Sequence, residues 1–416
     1  MTSISSTRSL NLDLPPSCIA FCPTQPRLFV VGTYHLHDST TAKEEPASSA
    51  AEGEASDHED GAVEAAQKRS GSLILYELLD GDEIIHVATE PTPDFAILDA
   101  QWSPHTAGHG ELLAVATSTG SLALYDLGTN DHGSKRLVPR GSKQICEAST
   151  LVLSLAWHPS RADVVGVTLS DGRVCLCACE SSREGRPLWA DEEASVSVTT
   201  VHEHSLEAWA LAFTGRDDDG ITGILSGGDD LTLQLSTVDE SRTITSTPRW
   251  QDRRIHQAGV TAIFPLDAPN LIVTGSYDDH IRLIAAPSTG RRRVLAEVHL
   301  GGGVWRLKAL VSGLPGREGA AASPATTALS GSTRSLFILA SCMHAGTRIL
   351  KLSCSQQAEE EEEESWAFKV LARFEEHKSM NYGSDMQPSE GSVRTIVSTS
   401  FYDRLLCLWR FDVGAE

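Results

Sequence analysis

The chain has 416 residues and a formal net charge of −22. So acidic a balance argues against a nucleic-acid interface, which needs a basic face, and with neither a signal peptide nor a long apolar span the chain is expected in the reducing cytoplasm. Aromatic residues make up only 6% while glycines number 33, which suits a turn-rich β protein.

Residues 1–16 are polar, end in Pro15-Pro16 and read as a lead-in. One pattern then recurs: an apolar run, a polar turn, and a second strand with apolar or aromatic residues three and six places on. Its copies are Ser70 to Tyr76, Thr119 to Tyr125, Asp171 to Cys177, Asp229 to Leu235, Asp278 to Ile284 and Asp403 to Trp409, with a looser copy from His344 to Leu352. Most copies have another apolar strand upstream. Four short strands per unit, at about 40–50 residues plus insertions, is the signature of a β-propeller. Seven copies predict a single all-β, seven-bladed WD-repeat propeller over residues 17–416, although repeat counting alone leaves six or eight blades open. The Trp-Asp ends are degenerate, as at Tyr76-Glu77, Tyr125-Asp126 and Trp409-Arg410. A ring must hide its edges, so an N-terminal strand around Ser17 to Phe21 is expected beside the last blade.

In chain order, blade one spans Ser17 to Glu77, blade two starts near Ala96, and blade three near Leu151. Blade four begins at His202, blade five follows His256, blade six begins at Gly301, and blade seven spans His377 to Phe411. Composition marks residues 37–68, 128–149, 313–333 and 355–365 as flexible insertions, two of them acidic and including the unbroken run Glu359 to Glu364. Cys175, Cys177 and Cys179 alternate onto one strand face and read as small buried hydrophobes rather than metal ligands.

In a propeller the turns inside hairpins and the connections between blades share one end. Three His–Asp pairs there, His204 with Asp229, His256 with Asp278 and His377 with Asp403, read as structural turn networks. The same end of blades four to seven offers Glu207, Trp209, Asp230, Tyr277, His280, Trp305, Arg306, His344, Phe401 and Tyr402. Aromatics near carboxylates can enclose a quaternary ammonium, and a histidine near an acid can serve as a general base. Taken singly, each aromatic is better read as packing between blades. No nucleophile elbow, zinc-protease helix, P-loop or dinucleotide fingerprint is found. The residues by themselves describe a protein-binding platform.

Several segments together are more specific: LEAWALAF, LSGGDD, TGSYDDHIRL, LGGGVWRLK, ASCMHAGTRIL and SFYDRLLCLW. They resemble the WD-repeat diphthine methylesterase family of diphthamide biosynthesis, over roughly residues 202–410. The stretch from Glu376 to Met386 resembles the family's segment with a His and a Tyr-Gly pair; blades one to three match only as propeller. The chain departs from the family in lacking a tryptophan soon after that stretch and the Trp-Asp ends of blades four and five, losses that concern packing more than chemistry. The resemblance implies hydrolysis of the carboxyl methyl ester of methylated diphthine on elongation factor 2, giving diphthine and methanol without a metal or organic cofactor. It implies a monomer with elongation factor 2 as its partner, and no membrane or direct nucleic-acid contact. In that reading His344 is the general base and Cys342 a weaker candidate nucleophile, while Arg306 or the Gly301 to Gly303 amides meet the oxyanion. Trp209, Tyr277, Trp305 and Tyr402, with Glu207, Asp279 and His280, are the candidates for holding the trimethylammonium. A non-catalytic scaffold, or an adaptor for a ubiquitin ligase or trafficking complex, is the alternative that the fold alone favours.

Overall fold

Each repeat pairs short apolar strands through turns as tight as the three residues between Leu271–Ser276 and His280–Ala285, and so folds as an antiparallel sheet with little core of its own. In a computed structural model residues 1–37, 67–105, 111–180, 189, 194–216, 221–239, 244–268, 270–287, 289–310, 335–355 and 365–415 are described. The insertions expected over 37–68, 313–333 and 355–365 lie almost wholly outside these residues. The described strands form seven sheets, the seven blades of a propeller.

The inner strands are Pro16–Phe21, Ile97–Trp102, Val152–Trp157, Ala208–Arg216, Val260–Pro265, Arg306–Ala309 and Gly383–Met386 in blades one to seven. Each is followed outward by its neighbours in order, as in blade five, where Leu271–Ser276, His280–Ala285 and Arg293–His299 succeed Val260–Pro265. The second strands are buried on both faces, Val164–Leu169 throughout its length, because each sheet is sandwiched between two others. The buried apolar residues accordingly fall into seven clusters, one per junction. Val164, Val174, Ala208 and Phe213 join blades three and four, and Ile19, Phe21, Val397 and Leu406 join blades seven and one. Cys175, Cys177 and Cys179 pack in the junction of blades two and three. This is how a repeat too small to be stable alone acquires a core.

The hairpin turns share one backbone device. In blades two to seven a residue in the left-handed region closes the turn, and in blades two, three and six it is Gly120, Gly172 and Gly346. In blades four, five and seven it is Leu231, Asp279 and Arg404, with φ between 55° and 66°. Non-glycine residues carry that conformation at a steric cost of ~1 kcal/mol or more. Asp278 offsets part of it by accepting hydrogen bonds from the His280 and Gln257 amides.

Three expectations change. The ring is closed not by the strand at Ser17 to Phe21, which is the inner strand of blade one, but by Arg8–Asn11, the outermost strand of blade seven, paired with Leu405–Asp412. Thr2–Ile4 adds a parallel strand to Ser365–Phe374 of blade six, so residues 1–16 are not a polar lead-in but hold two strands of the ring. Likewise, residues 128–149 are not a flexible insertion, because Lys135–Gln144 is the outer strand of blade two. Its register shifts by a bulge next to Gly141, at φ 100°, and an outer strand accommodates both that bulge and Pro139.

Deleting residues 1–12 should therefore expose the edge of Leu405–Asp412 and remove the burial of Leu12. The expected loss is at least about 2 kcal/mol for the leucine alone, together with self-association through the open edge. Thermal unfolding and sedimentation velocity of the truncated chain check both.

Candidate functional site

The first residues of the inner strands, and the hairpin turns beside them, surround one mouth of the central channel. Trp305, one residue before the inner strand of blade six, is the hub of an aromatic group there. Its ring lies 5.2 Å from Trp209, 6.0 Å from Tyr277 and 5.0 Å from Tyr382, centroid to centroid. Tyr382 continues to Phe401 at 5.5 Å, and Phe401 to Tyr34 of blade one at 6.2 Å. The result is an arc of half-buried rings from blade four round to blade one. The rings are tilted rather than stacked, which is ordinary aromatic packing, but here they line an opening instead of filling a core.

The arc carries two carboxylates at its blade-four end and a guanidinium over its hub. At the blade-four end stand Glu207 and Asp229, both partly buried, the Asp229 amide bonded to the Glu207 carbonyl at 2.9 Å. Burial pushes the Asp229 carboxyl above the usual range, and Glu207 and Asp230 push the same way; only the nearby Trp209 indole opposes them. Trp209 Nε1 is buried short of hydrogen-bonding geometry with any described residue. Gly259 is what lets Asp229 in: a Cβ there would lie 2.4 Å from Asp229 Oδ1 and 3.0 Å from Tyr277 Cδ2. Burial raises the Tyr277 phenol, with Asp229, Tyr382 and Glu207 adding to the effect and Arg306 opposing it. At the hub the Arg306 guanidinium lies over Trp305 at 5.0 Å, and its Nη2 comes within 4.0 Å of Asp99 Oδ2, on the inner strand of blade two. Asp99 is buried and itself held by the Leu155 amide at 3.2 Å. A positive group and a pair of carboxylates thus face the same aromatic surface.

The sequence-predicted residues divide accordingly. Glu207, Trp209, Tyr277, Trp305 and Arg306 come together. Tyr402 is 70% exposed and touches only the far end of the arc, edge-on to Phe401 at 5.0 Å. Asp279 and His280 turn toward the outer strand of their own blade instead. Asp279 lies 3.5 Å from His299 Nε2, and the His280 ring packs edge-on to His299 at 5.0 Å. His344 is exposed on the hairpin turn of blade six, with no hydrogen bond or ion pair among the described residues. Cys342 does not suit a nucleophile: it is fully buried, its Sγ faces the Ala340 carbonyl at 3.6 Å, and burial pushes the thiol up to about 12. The Gly302 and Gly303 backbone is covered by the turn at Cys342 to Ala345, whereas Gly301 is exposed.

The three structural His–Asp pairs also resolve differently. His204 Nδ1 binds Asp230, at 2.9 Å, not Asp229. His256 and His377 bind Thr274 and Ser398 through Nε2, at 2.9 and 2.7 Å. Asp278 and Asp403 instead take the amides of Gln257 and Lys378. Asp230, His204 and Ser226 are linked in series at 2.9 and 2.7 Å, like a hydrolase triad, but Ser226 is fully buried and this array is a blade fastener. The one-residue exchange frees Asp229 for the arc. Tyr382, Asp99 and Tyr34 were not singled out as site residues from sequence, and Asp229 was read only as a structural partner of His204. The Tyr-Gly pair at Tyr382 was the one available signal, whereas nothing in the doublet Asp229-Asp230 says which residue turns which way.

Two consequences are measurable. Burial holds His202, His256 and His377 neutral, with values lowered to about 3, 4 and 4. As pH falls below the ordinary histidine value the unfolded chain takes up protons that the folded chain refuses. Stability present at pH 7 should then decline toward pH 4, by up to about 1.4 kcal/mol per pH unit per histidine, in denaturant titrations across that range. Asp229 and Asp230 should behave oppositely. Asp230 is lowered to about 2, its burial overcome chiefly by the bond from His204, so Asp230→Asn should destabilise at pH 7 by about 1–3 kcal/mol. Asp229 is raised, so its stability is complete below the ordinary aspartate value and lost as pH rises through the shifted one; Asp229→Asn should raise Tm at pH 7 and leave it unchanged at pH 3.

No family model matches the chain. In fold it is similar to a chain in a crystal structure of a mitotic checkpoint complex, at a TM-score of 0.57 and 15% identity, covering 99% of this chain and 97% of that one. In sequence it is similar to the diphthine methyltransferase of Schizosaccharomyces pombe, 29% identical over 83% of this chain and 87% of the relative. The human protein of that name is 28% identical over 91% and 74%, and that of Saccharomyces cerevisiae is 24% identical over 98% and 100%. With relatives of that name 24–29% identical over 83–98% of its length, the chain belongs to the diphthine methyltransferase family of WD-repeat β-propellers.

Proposed function

We propose that this protein acts in diphthamide biosynthesis by hydrolysing the carboxyl methyl ester of methylated diphthine on elongation factor 2. The observation that carries the reading is the charged aromatic surface: two carboxylates beside its blade-four end and a guanidinium over its hub. Such a surface matches a side chain bearing a quaternary ammonium and, a few bonds away, a carboxyl ester. The cation takes the Trp209, Tyr277 and Trp305 faces, a cation–π contact of ~1–2 kcal/mol when desolvated, with Asp229 and Glu207 supplying the counter-charge. Arg306, oriented by Asp99, meets the ester oxygen as it becomes negative. His344, on the turn that packs over Gly302 and Gly303, takes the proton of the attacking water. Ester and water give carboxylate, methanol and a proton, and no group is transferred to the protein. The chain is read as a cytoplasmic monomer that contacts the factor directly.

The name methyltransferase borne by the relatives favours a second reading, methyl transfer to the substrate, and product analysis separates the two. Purified protein mixed with methylated elongation factor 2 should release one methanol per factor without any methyl donor. Arg306→Ala, still folded, should lower kcat by about 10²–10³, and Trp305→Ala should mainly raise KM. Methylation of the factor at the expense of an added donor, or Arg306→Ala at wild-type rate, would overturn the proposal.

A further inference from the structure

We infer that a cleft between the outer strands of blades four and five docks a short acidic segment of a protein partner. The cleft encloses about 740 Å³ and gathers Arg253, Arg254, Arg291 and Arg292, with Asp230 and Asp252 among its lining. Four arginines converge in a chain whose acidic residues outnumber its basic ones by 56 to 34, so partners were plentiful. Yet the side chains of Arg253, Arg254 and Arg291 make no hydrogen bond or ion pair among the described residues. Two of the three carboxylates in the lining are already engaged, Asp230 by His204 and the Ser205 amide and Asp252 by the Arg254 amide, while the third, Glu203, is exposed at the rim. Arg292 is fixed by stacking on Trp250 at 4.6 Å and by its Nη1 bond to the Gly290 carbonyl, while its Nε is buried with no acceptor. Four guanidiniums thus face three carboxylates, two of them already engaged; Arg253, Arg254 and Arg291 are exposed to a ligand, and Arg292 keeps a buried donor unpaired.

Planar guanidinium forks match carboxylates in pairs. The intervening Asp230 and Asp252, and the acidity of the remaining chain, disfavour a long polyanion that would run past the cleft onto negative surface. A segment of a few acidic residues fits within it. Placement supports a protein as the donor: one hairpin turn puts Asp230 in the cleft and Asp229 in the aromatic arc. A protein offering a side chain to the arc would lie across the arginines. The identity of that protein rests on the proposed function; the chemistry of the cleft does not.

The test uses the full chain and a fluorescent octapeptide of alternating Glu and Gly, with a single-stranded DNA oligomer of equal charge as rival. The peptide should bind, should weaken about tenfold between 50 and 300 mM salt, and should lose at least about tenfold in a chain carrying Arg253→Glu and Arg291→Glu that keeps wild-type Tm. The same variant should raise KM for methylated elongation factor 2 with kcat unchanged, and should hydrolyse a small trimethylammonium methyl ester as wild type does. Failure of the esterase reading would leave the peptide titration standing. Absence of peptide binding, binding unchanged in the variant, or DNA bound as tightly as peptide would overturn the inference.

Discussion

No blade in this protein can stand alone. Each sheet has apolar side chains on both faces, and each face finds its cover only on the next sheet, so the seven junction clusters form a closed series in which every member depends on two others. Closure is the constraint from which the rest follows. It fixes the inner strands round one channel, and it is reinforced by polar links that cross junctions near the axis. Lys308 of blade six holds Asp385 of blade seven at 2.8 Å, and Asp385 accepts the Phe21 amide of blade one at 2.8 Å. Thr261 of blade five donates to the Val304 carbonyl at 2.6 Å, just before Trp305. The side chains at the mouth are thereby set by the ring and not by flexible loops, the kind of rigid support that a binding constellation requires.

Against that frame the two neighbouring aspartates at 229 and 230 show how one turn serves two ends. Asp230 is surrounded by donors and is strongly acidic; Asp229 is surrounded by rings and carboxylates and is weakly acidic. The difference comes wholly from environment. A carboxylate held where its charge is uncompensated costs stability and persists where a ligand's charge completes it. The arginine cleft on the opposite side of the same turn is the complementary case, with positive charge awaiting its partner.

The blades were legible because the hairpin pattern is repeated and because third strands such as His280–Ala285 are buried on both faces, leaving strong apolar runs. The outer strands were not. Lys135–Gln144 packs on one face only and shows mostly polar residues with Pro139 and Gly141, and Arg8–Asn11 is too short to carry a pattern. At the site, Trp209, Trp305 and Arg306 were legible because they flank recognisable inner strands. Cys342 and His344 adjoin in sequence but differ in exposure, since the turn buries one and presents the other. Asp99 was hidden because its partner Arg306 stands four blades along the chain, and no local pattern encodes a contact across the channel.

The pairing of Arg8–Asn11 with Leu405–Asp412 sets an order of events during synthesis. Thr7 and Leu408, which touch in the folded ring, are separated by 401 residues. At ~5–20 residues per second the first strand waits about 20–80 s for its partner to be made. Throughout that interval blades one to six can stack on one another while the apolar face of blade one that Val397 and Leu406 will cover stays open. The growing chain is thus an unclosed spiral with a sticky leading edge, and its vulnerability to chaperone capture or misassembly lasts until the final few dozen residues have emerged.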